Sequence, residues 1–395
     1  MKPKELQKKK IIFFTVESPP SFAGAGLKAL EFARFLSNYA QETSLCHLNY
    51  NGILPNEAVD GKLKIHRLNY FNKNILTKII SFIPLLFRYF KLVKKNDIIF
   101  IYSAYLIGFQ FIIYAAFLLK KKIIFRSTLL MGDDVATLLK KPALLRWINK
   151  YVIKRISVYF AINAEFTRRF RNSITNNIPV FESFQGVNIN RFKPVSSEKK
   201  KQIREKLSID PEEFIIVSVG FVLRRKGYQF IFPQLSNLPF SFRYIILGEF
   251  LKNHFHRTTD DEIAEMESVV KQGKLLLGNK VIFAGTANNI EDYLLAADIF
   301  IHGSLGEGTP NVVLEALSCG IPVIIRRLPG LSRQLIHNRE NAVEFENFDE
   351  LPHILEELFN NKQLRSELGK AGSKTITENY TFEKVASKLM GILYA

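Results

Sequence analysis

Two carboxylates frame the densest chemistry in the chain, in the stretch His302-Gly-Ser-Leu-Gly-Glu307-Gly308-Thr-Pro-Asn311-Val312-Val-Leu-Glu315. A β-branched run ends at His302 and a glycine-rich turn follows, with Thr309 placed to cap a helix whose first residue is Pro310. Amides near Asn311, Val312 and Val313 are then left free at the positive end of a helix, where donors and dipole together bind phosphate. Glu307 precedes that helix and Glu315 falls in its second turn, so both can face one ligand. A carboxylate accepts well from the adjacent hydroxyls of a sugar or ribose. Either acid alone reads equally as a solvated side chain. Turn, cap and spacing together point to a sugar–phosphate site.

A second signal is Val217-Ser-Val-Gly220-Phe-Val-Leu-Arg-Arg225-Lys226-Gly227, a buried-type run ending in a basic loop. Ligands of open α/β sheets gather at the carboxyl ends of strands, where Lys226 and Arg225 could neutralise a departing diphosphate. Gly24-Ala-Gly26 is a third, weaker signal: small residues after the run Ile11–Val16 let backbone amides approach a ligand. It does not complete a dinucleotide fingerprint. No Asp-x-Asp donor motif and no His/Cys cluster is present, and Cys46 and Cys319 lack metal-ligand spacing, so neither metal nor cofactor is expected.

The elements that would carry these residues are short apolar runs, each followed by a helical stretch. They are Ile11–Val16, Ile98–Tyr102, Ile123–Arg126, Phe214–Gly220, Tyr244–Leu247, Val281–Phe283, Ile299–His302 and Val323–Ile325. Runs without strict alternation suit strands buried on both faces, so the expected class is α/β with doubly wound parallel sheets. A length of 395 residues favours two domains. The composition break near Gly186–Asp210 sets them at 1–190 and 191–378, with residues 379–395 as a returning helix. Residues 98–119 carry no formal charge and are long enough to span a membrane. Polar residues in the first half favour a buried strand, a turn and a core helix from Leu106 to Leu119 instead.

Charge is strongly asymmetric. Through Val195 there are 31 Lys/Arg against 11 Asp/Glu; from Ser196 onward there are 24 against 26. A basic half implies an anionic partner. The segment Ile75–Lys95 mixes Ile, Leu and Phe with Lys and Arg, as an interfacial helix does, although an ordinary packed amphipathic helix has the same composition. An anionic membrane surface is the expected partner; nucleic acid is not, because no recognition motif accompanies the charge. The apolar run Ile11–Val16 is too short for an export signal, so a cytoplasmic location, peripheral on the inner face of the membrane, is expected.

With these motifs in place, the chain resembles the retaining glycosyltransferases of family 4, which have the GT-B fold. Gln185-Gly-Val-Asn188 with Phe192 and Pro194, the Gly220 to Lys226-Gly227 loop, Glu307-Gly-Thr-Pro through Glu315-Ala, Gly320-x-Pro322 and Leu247-Gly248-Glu249 carry the likeness. The resemblance implies two Rossmann-like domains facing across a cleft, with the helix Phe382–Tyr394 crossing back to the first. It implies that Lys226 holds the donor diphosphate, Glu307 the sugar hydroxyls and Glu315 the ribose. Gly24, Gly26, Arg225, Gly248, Gly308, Asn311 and Val312 would complete donor binding. Phe221 stands where many members have a phosphate-binding Arg, so Arg225 or Arg224 would compensate. Arg126-Ser-Thr128 replaces a familiar His, leaving Asp133 and Asp134 as acceptor candidates beside an ordinary-turn reading. The implied reaction moves a hexose-type sugar from a UDP- or GDP-sugar to a saccharide acceptor, lipid-linked, in polysaccharide or lipopolysaccharide synthesis. A nucleotide-sugar 2-epimerase and a non-catalytic partner subunit are the alternatives.

Overall fold

The structure is a computed structural model that describes residues 6–19, 24–50, 52, 54–71, 74–174, 177–248, 260–328, 331 and 334–394. The chain forms two compact units: Met1–Gly186 with Phe382–Ala395, and Val187–Thr381.

In the first unit the chain runs β1 (Lys10–Thr15), α1 (Gly24–Leu36), β2 (Glu42–Asn49), β3 (Glu57–Asp60), β4 (Leu63–Asn69), α2 (Ile75–Lys95) and β5 (Ile98–Tyr102). It continues through α3 (Phe109–Leu118), β6 (Lys122–Arg126), α4 (Val135–Leu138), α5 (Ala143–Ile153), β7 (Val158–Ala161), α6 (Ala164–Ser173) and β8 (Val180–Glu182). The sheet order is β3-β4-β2-β1-β5-β6-β7-β8, parallel except where β3 meets β4. The strand order reverses between β1 and β5. The apolar run of β1 is buried on both faces: Ile11 and Phe13 join one core, Ile12 and Phe14 the other. Such double burial is why the strand reads as an unbroken apolar run. The C-terminal helix Phe382–Tyr394 belongs to this unit. Its Phe382 ring lies 5.9 Å from Phe32 and 5.8 Å from Phe35, closing the face that α1 also covers.

The second unit runs α7 (Ser197–Lys206), β9 (Ile215–Val219), α8 (Tyr228–Ser236), β10 (Arg243–Leu247), α9 (Asp260–Leu277), β11 (Val281–Gly285), α10 (Ile290–Ala296) and β12 (Ile299–His302). After these come α11 (Asn311–Ser318), β13 (Val323–Arg326), β14 (Val343–Phe345), α12 (Leu351–Asn360) and α13 (Lys362–Asn379). Its sheet, β11-β10-β9-β12-β13-β14, is parallel throughout and reverses order between β9 and β12.

Residues 98–119 form β5 and α3, and the helix starts later than the sequence suggests. Gly108 caps it at φ 79, a left-handed conformation that ends the preceding turn. Among the described residues, no helix is long and apolar enough to cross a membrane. Strands β2, β3, β4, β7, β8 and β14 lie outside the apolar runs picked out in the sequence. Glu42, Thr43, Ser44 and His47 interrupt the apolar pattern of β2, yet Thr43, Ser44 and His47 are buried. Helix α2 buries a single stripe, Ser81, Leu85, Tyr89 and Val93, while Ile75, Leu76, Ile79, Ile80, Ile83 and Phe87 face outward.

Candidate functional site

The crevice of an open α/β sheet lies where strand order reverses. In the second unit that point is flanked by the carboxyl ends of β9 and β12, and the loops that follow them hold Lys226 and Glu307. The two side chains meet there: Lys226 Nζ donates to Glu307 Oε1 at 2.6 Å. Arg225 donates to the same oxygen at 3.1 Å and to the Gly306 carbonyl at 3.0 Å. Ser304 Oγ adds a third donor to Oε1 at 3.1 Å. All three donors fall on Oε1, and among the described residues none reaches Oε2. Two of the three ammonium donors of Lys226 are likewise unused. The cluster holds two cations and one acid, so it retains a net positive charge at a sheet's ligand edge.

Glycines make the close approach possible. A side chain at Gly220 would meet Lys226 Cε at 2.9 Å. At Gly227, whose φ is 79, a Cβ would fall only 2.1 Å from the Gly303 carbonyl oxygen. Gly248 abuts Gly220 in the same way, so the predicted glycine of β10 lies directly beside the end of β9. Glu249, its neighbour in the motif, lies outside the described residues.

Burial raises the Glu307 carboxyl, but the Lys226 charge, with His302 and Arg225, outweighs it and holds the group at about 2. Glu307 therefore stays ionised. His302 is buried, and desolvation together with the Lys226 charge pushes its imidazole down to about 3. Its Nε2 finds no hydrogen-bond partner among the described residues. His302 and Ser304 belong to this site although the sequence reading assigned neither a role. The Ser304-x-x-Glu307 spacing was the available signal.

Helix α11 begins at Asn311, with Pro310 as its N-cap and no side-chain cap, one residue later than Thr309 as cap would place it. A proline cap has no side chain with which to satisfy the first amides. Val313 N donates to the Pro310 carbonyl at 2.9 Å, so the exposed-amide set narrows to Asn311 and Val312. Gly308 lies between this helix and Glu307. Glu315 is buried inside α11, at 6% exposure, and is not among the partners of Lys226 or Glu307.

The remaining predicted residues lie in the first unit. Gly24 opens α1, and Gly26 packs against the Glu17 carbonyl so closely that a Cβ would fall 1.7 Å from its oxygen. Asp133 is buried and accepts from Ser103 Oγ, the amides of Ala104, Thr128 and Leu129, and Thr128 Oγ1. Asp134 caps α4 through Thr137 and pairs with Arg169 at 2.9 Å. Asp133 thus ties the loop after β6 to the one after β5, and Asp134 ties α4 to α6.

Residues 199–375 match the family described as Glycosyl transferases group 1. Over 192 residues the chain is 22% identical to a lipopolysaccharide core biosynthesis glycosyltransferase of Rhizobium meliloti, covering 48% of this chain and 52% of that protein. Over 251 residues it is 26% identical to a GDP-mannose-dependent phosphatidylinositol monomannoside mannosyltransferase of Corynebacterium glutamicum, covering 60% and 62% respectively. The matches thus span little more than half the length of these curated relatives. Among solved structures, the Anabaena protein HepE in complex with UDP and glucose has a TM-score of 0.77 at 16% identity, covering 98% of this chain and 99% of its own. Sucrose-phosphate synthase of Thermosynechococcus elongatus has a TM-score of 0.78 at 17% identity, covering 98% of each chain. At such identities the likeness is one of fold, the GT-B architecture.

Proposed function

We propose that this chain, a member of the glycosyl transferases group 1 family, moves a hexose-type sugar from a nucleoside-diphosphate sugar to a saccharide acceptor with retention of configuration. The observation that carries this reading is the Lys226–Glu307–Arg225 cluster at the point where strand order reverses. Its surplus positive charge and unused ammonium donors suit a diphosphate. The open Oε2 of Glu307 suits a sugar hydroxyl. The amides of Asn311 and Val312 suit phosphate oxygens, and Glu315 the ribose; Gly248 and Gly308 keep the backbone of this unit near the donor accessible. HepE, crystallised with UDP-glucose, supports a uridine donor, and the Corynebacterium relative a guanosine one.

In this mechanism the acceptor hydroxyl attacks the anomeric carbon from the face that the diphosphate leaves. The carbon–phosphate-oxygen bond breaks, the new glycosidic bond forms, and the hydroxyl proton passes to the departing phosphate oxygen. No protein base is required. Lys226 and the end of α11 stabilise the charge that grows on the leaving group, and Glu307 orients both the sugar and Lys226.

The acceptor is read as lipid-linked, with the enzyme peripheral on the inner face of the membrane. The outward Ile, Leu and Phe side chains of α2, interspersed with Lys78, Arg88 and Lys91, fit an anionic lipid surface. Incubating the purified protein with a panel of UDP- and GDP-sugars and a membrane extract, followed by mass spectrometry, tests the function. One sugar added to a lipid-extractable acceptor is expected. Loss of a donor sugar's original configuration without any acceptor product would instead mark an epimerase.

A further inference from the structure

Within the first unit, a groove of about 220 Å³ lies between α2 and the end of β4. The buried Leu68 and Leu85 line it together with the exposed Phe71, Ile80 and Pro84. On α2 the lining residues Ile80, Pro84 and Arg88 stand four apart, so they follow one another along a single stripe of the helix. Pro84 gives this stripe an apolar ring and no amide.

The other polar groups of the groove are already engaged. Ser81 Oγ accepts from the Phe71 amide at 3.1 Å, which ties the chain leaving β4 to α2, and Asn69 Oδ1 accepts from Asn49 Nδ2 at 2.9 Å. Arg88 differs. It is exposed, lines the groove, and has no hydrogen bond or ion pair among the described residues. From Gly61 to Asn96 the chain carries nine Lys/Arg and no Asp or Glu. On the neighbouring strands, Glu42 pairs with Lys64 and Asp60 with Arg34.

An apolar groove that ends in an unpaired guanidinium is complementary to an amphiphile. Covering the groove with a hydrocarbon chain removes apolar surface from water, and a phosphate satisfies the arginine. Helix α2 also turns Ile79, Ile83 and Phe87 outward, so a lipid-facing α2 presents the groove to the lipids of the bilayer itself.

We propose that this groove binds one anionic phospholipid of the membrane, an acyl chain lying along Ile80, Pro84, Leu68 and Phe71 and the phosphate paired with Arg88. Such a site deepens the membrane reading of α2, on which it rests, by adding to diffuse surface attraction a place that a single lipid molecule fills.

Titration calorimetry of the full-length chain with dihexanoyl phosphatidylglycerol, below its critical micelle concentration, tests this with no lipid surface present. Saturable binding of one lipid per chain is expected. Dihexanoyl phosphatidylcholine, whose own cation offsets its phosphate, should bind more weakly. Arg88→Gln should weaken the anionic lipid by roughly tenfold, and Ile80→Trp, which fills the groove from an exposed position, should weaken it as well. Lys91→Gln removes the same charge from the same helix, but Lys91 lies over the Phe87 ring at 4.4 Å and does not line the groove, so affinity should not change. All three variants should melt with the parent, because the residues replaced are exposed. The proposal is overturned if no saturable binding occurs, if Arg88→Gln or Ile80→Trp binds as tightly as the parent, or if Lys91→Gln weakens binding as much as Arg88→Gln. It is equally overturned if the phosphatidylcholine, inorganic phosphate or farnesyl phosphate binds as tightly as the phosphatidylglycerol. The membrane reading fails on a different result, the absence of flotation of the unsubstituted chain with phosphatidylglycerol vesicles; flotation without short-chain binding removes the groove alone.

Discussion

Glu307 is the hinge of the second unit's chemistry because one of its oxygens gathers Lys226, Arg225 and Ser304 while the other is left open. Glu307→Gln keeps the shape but removes the charge that aligns the ammonium, and Lys226→Ala removes the ammonium itself. Each is expected to lower kcat by about 10²–10³-fold, with unfolding cooperative and secondary structure unchanged; near-normal turnover would dismiss both from the mechanism. Stability should also depend on acid in a defined way. His302 is neutral in the fold, its imidazole lowered from 6.5 to about 3, so the unfolded chain takes up its proton first. Its contribution is complete above pH 6.5 and is lost as pH falls toward 3. The Glu307 carboxyl, lowered from 4.5 to about 2, adds a second loss that begins only below pH 4.5. Urea titrations from pH 7 to 3 should therefore show His302→Phe flattening the upper part of the acid limb. Glu307→Gln should flatten only the lower part. Lys226, Arg225 and Glu307 could be picked out from the sequence because each sits in a short loop directly after an apolar run. Their meeting could not, since it joins residues some eighty positions apart.

At the scale of elements, glycine sets how closely the loops can pack. Gly227 combines φ 79 with a carbonyl oxygen 2.1 Å from where a Cβ would stand. Gly227→Ala should destabilise the second unit by about 1–3 kcal/mol and push Lys226 away from Glu307, measurable as a lower denaturation midpoint together with reduced turnover. Helix α2 makes the opposite prediction. Ile79, Ile83 and Phe87 contribute no core, so replacing all three with Ser should leave the melting temperature unchanged while abolishing flotation with anionic vesicles. Tyr89→Ala, on the buried stripe of the same helix, should cost about 3–5 kcal/mol. The residue content of Ile75–Lys95 gave the helix and its bounds. It could not say which apolar side chains are covered, because that depends on which stripe meets β4, α3 and β1.

Across the whole molecule, the chain's last helix completes its first unit. Phe382, Val385, Leu389 and Leu393 are buried among Phe32, Phe13 and Phe100. A stop after Thr381 should therefore unfold or aggregate residues 6–186 while the second unit, expressed as 187–381, melts cooperatively; separate melting of the two truncations checks this. The basic excess through Val195 predicts that vesicle binding falls steeply as salt rises, since the Debye length shrinks to about 8 Å at physiological strength. Sequence alone was enough for the alternation of buried strands and helices, the two-unit α/β class and the basic and glycine-rich loops that follow β9 and β12. These are local properties, set by hydrophobic runs, glycines and charges close together in the chain. Tertiary structure alone decided that β2 is a strand despite its polar residues and that Asp133 and Asp134 meet groups from the loop after β5 and from α6. It also decided that Arg126 is buried against the rings of Tyr102 and Phe160. Each of these outcomes depends on groups distant in sequence, whose approach is set by packing.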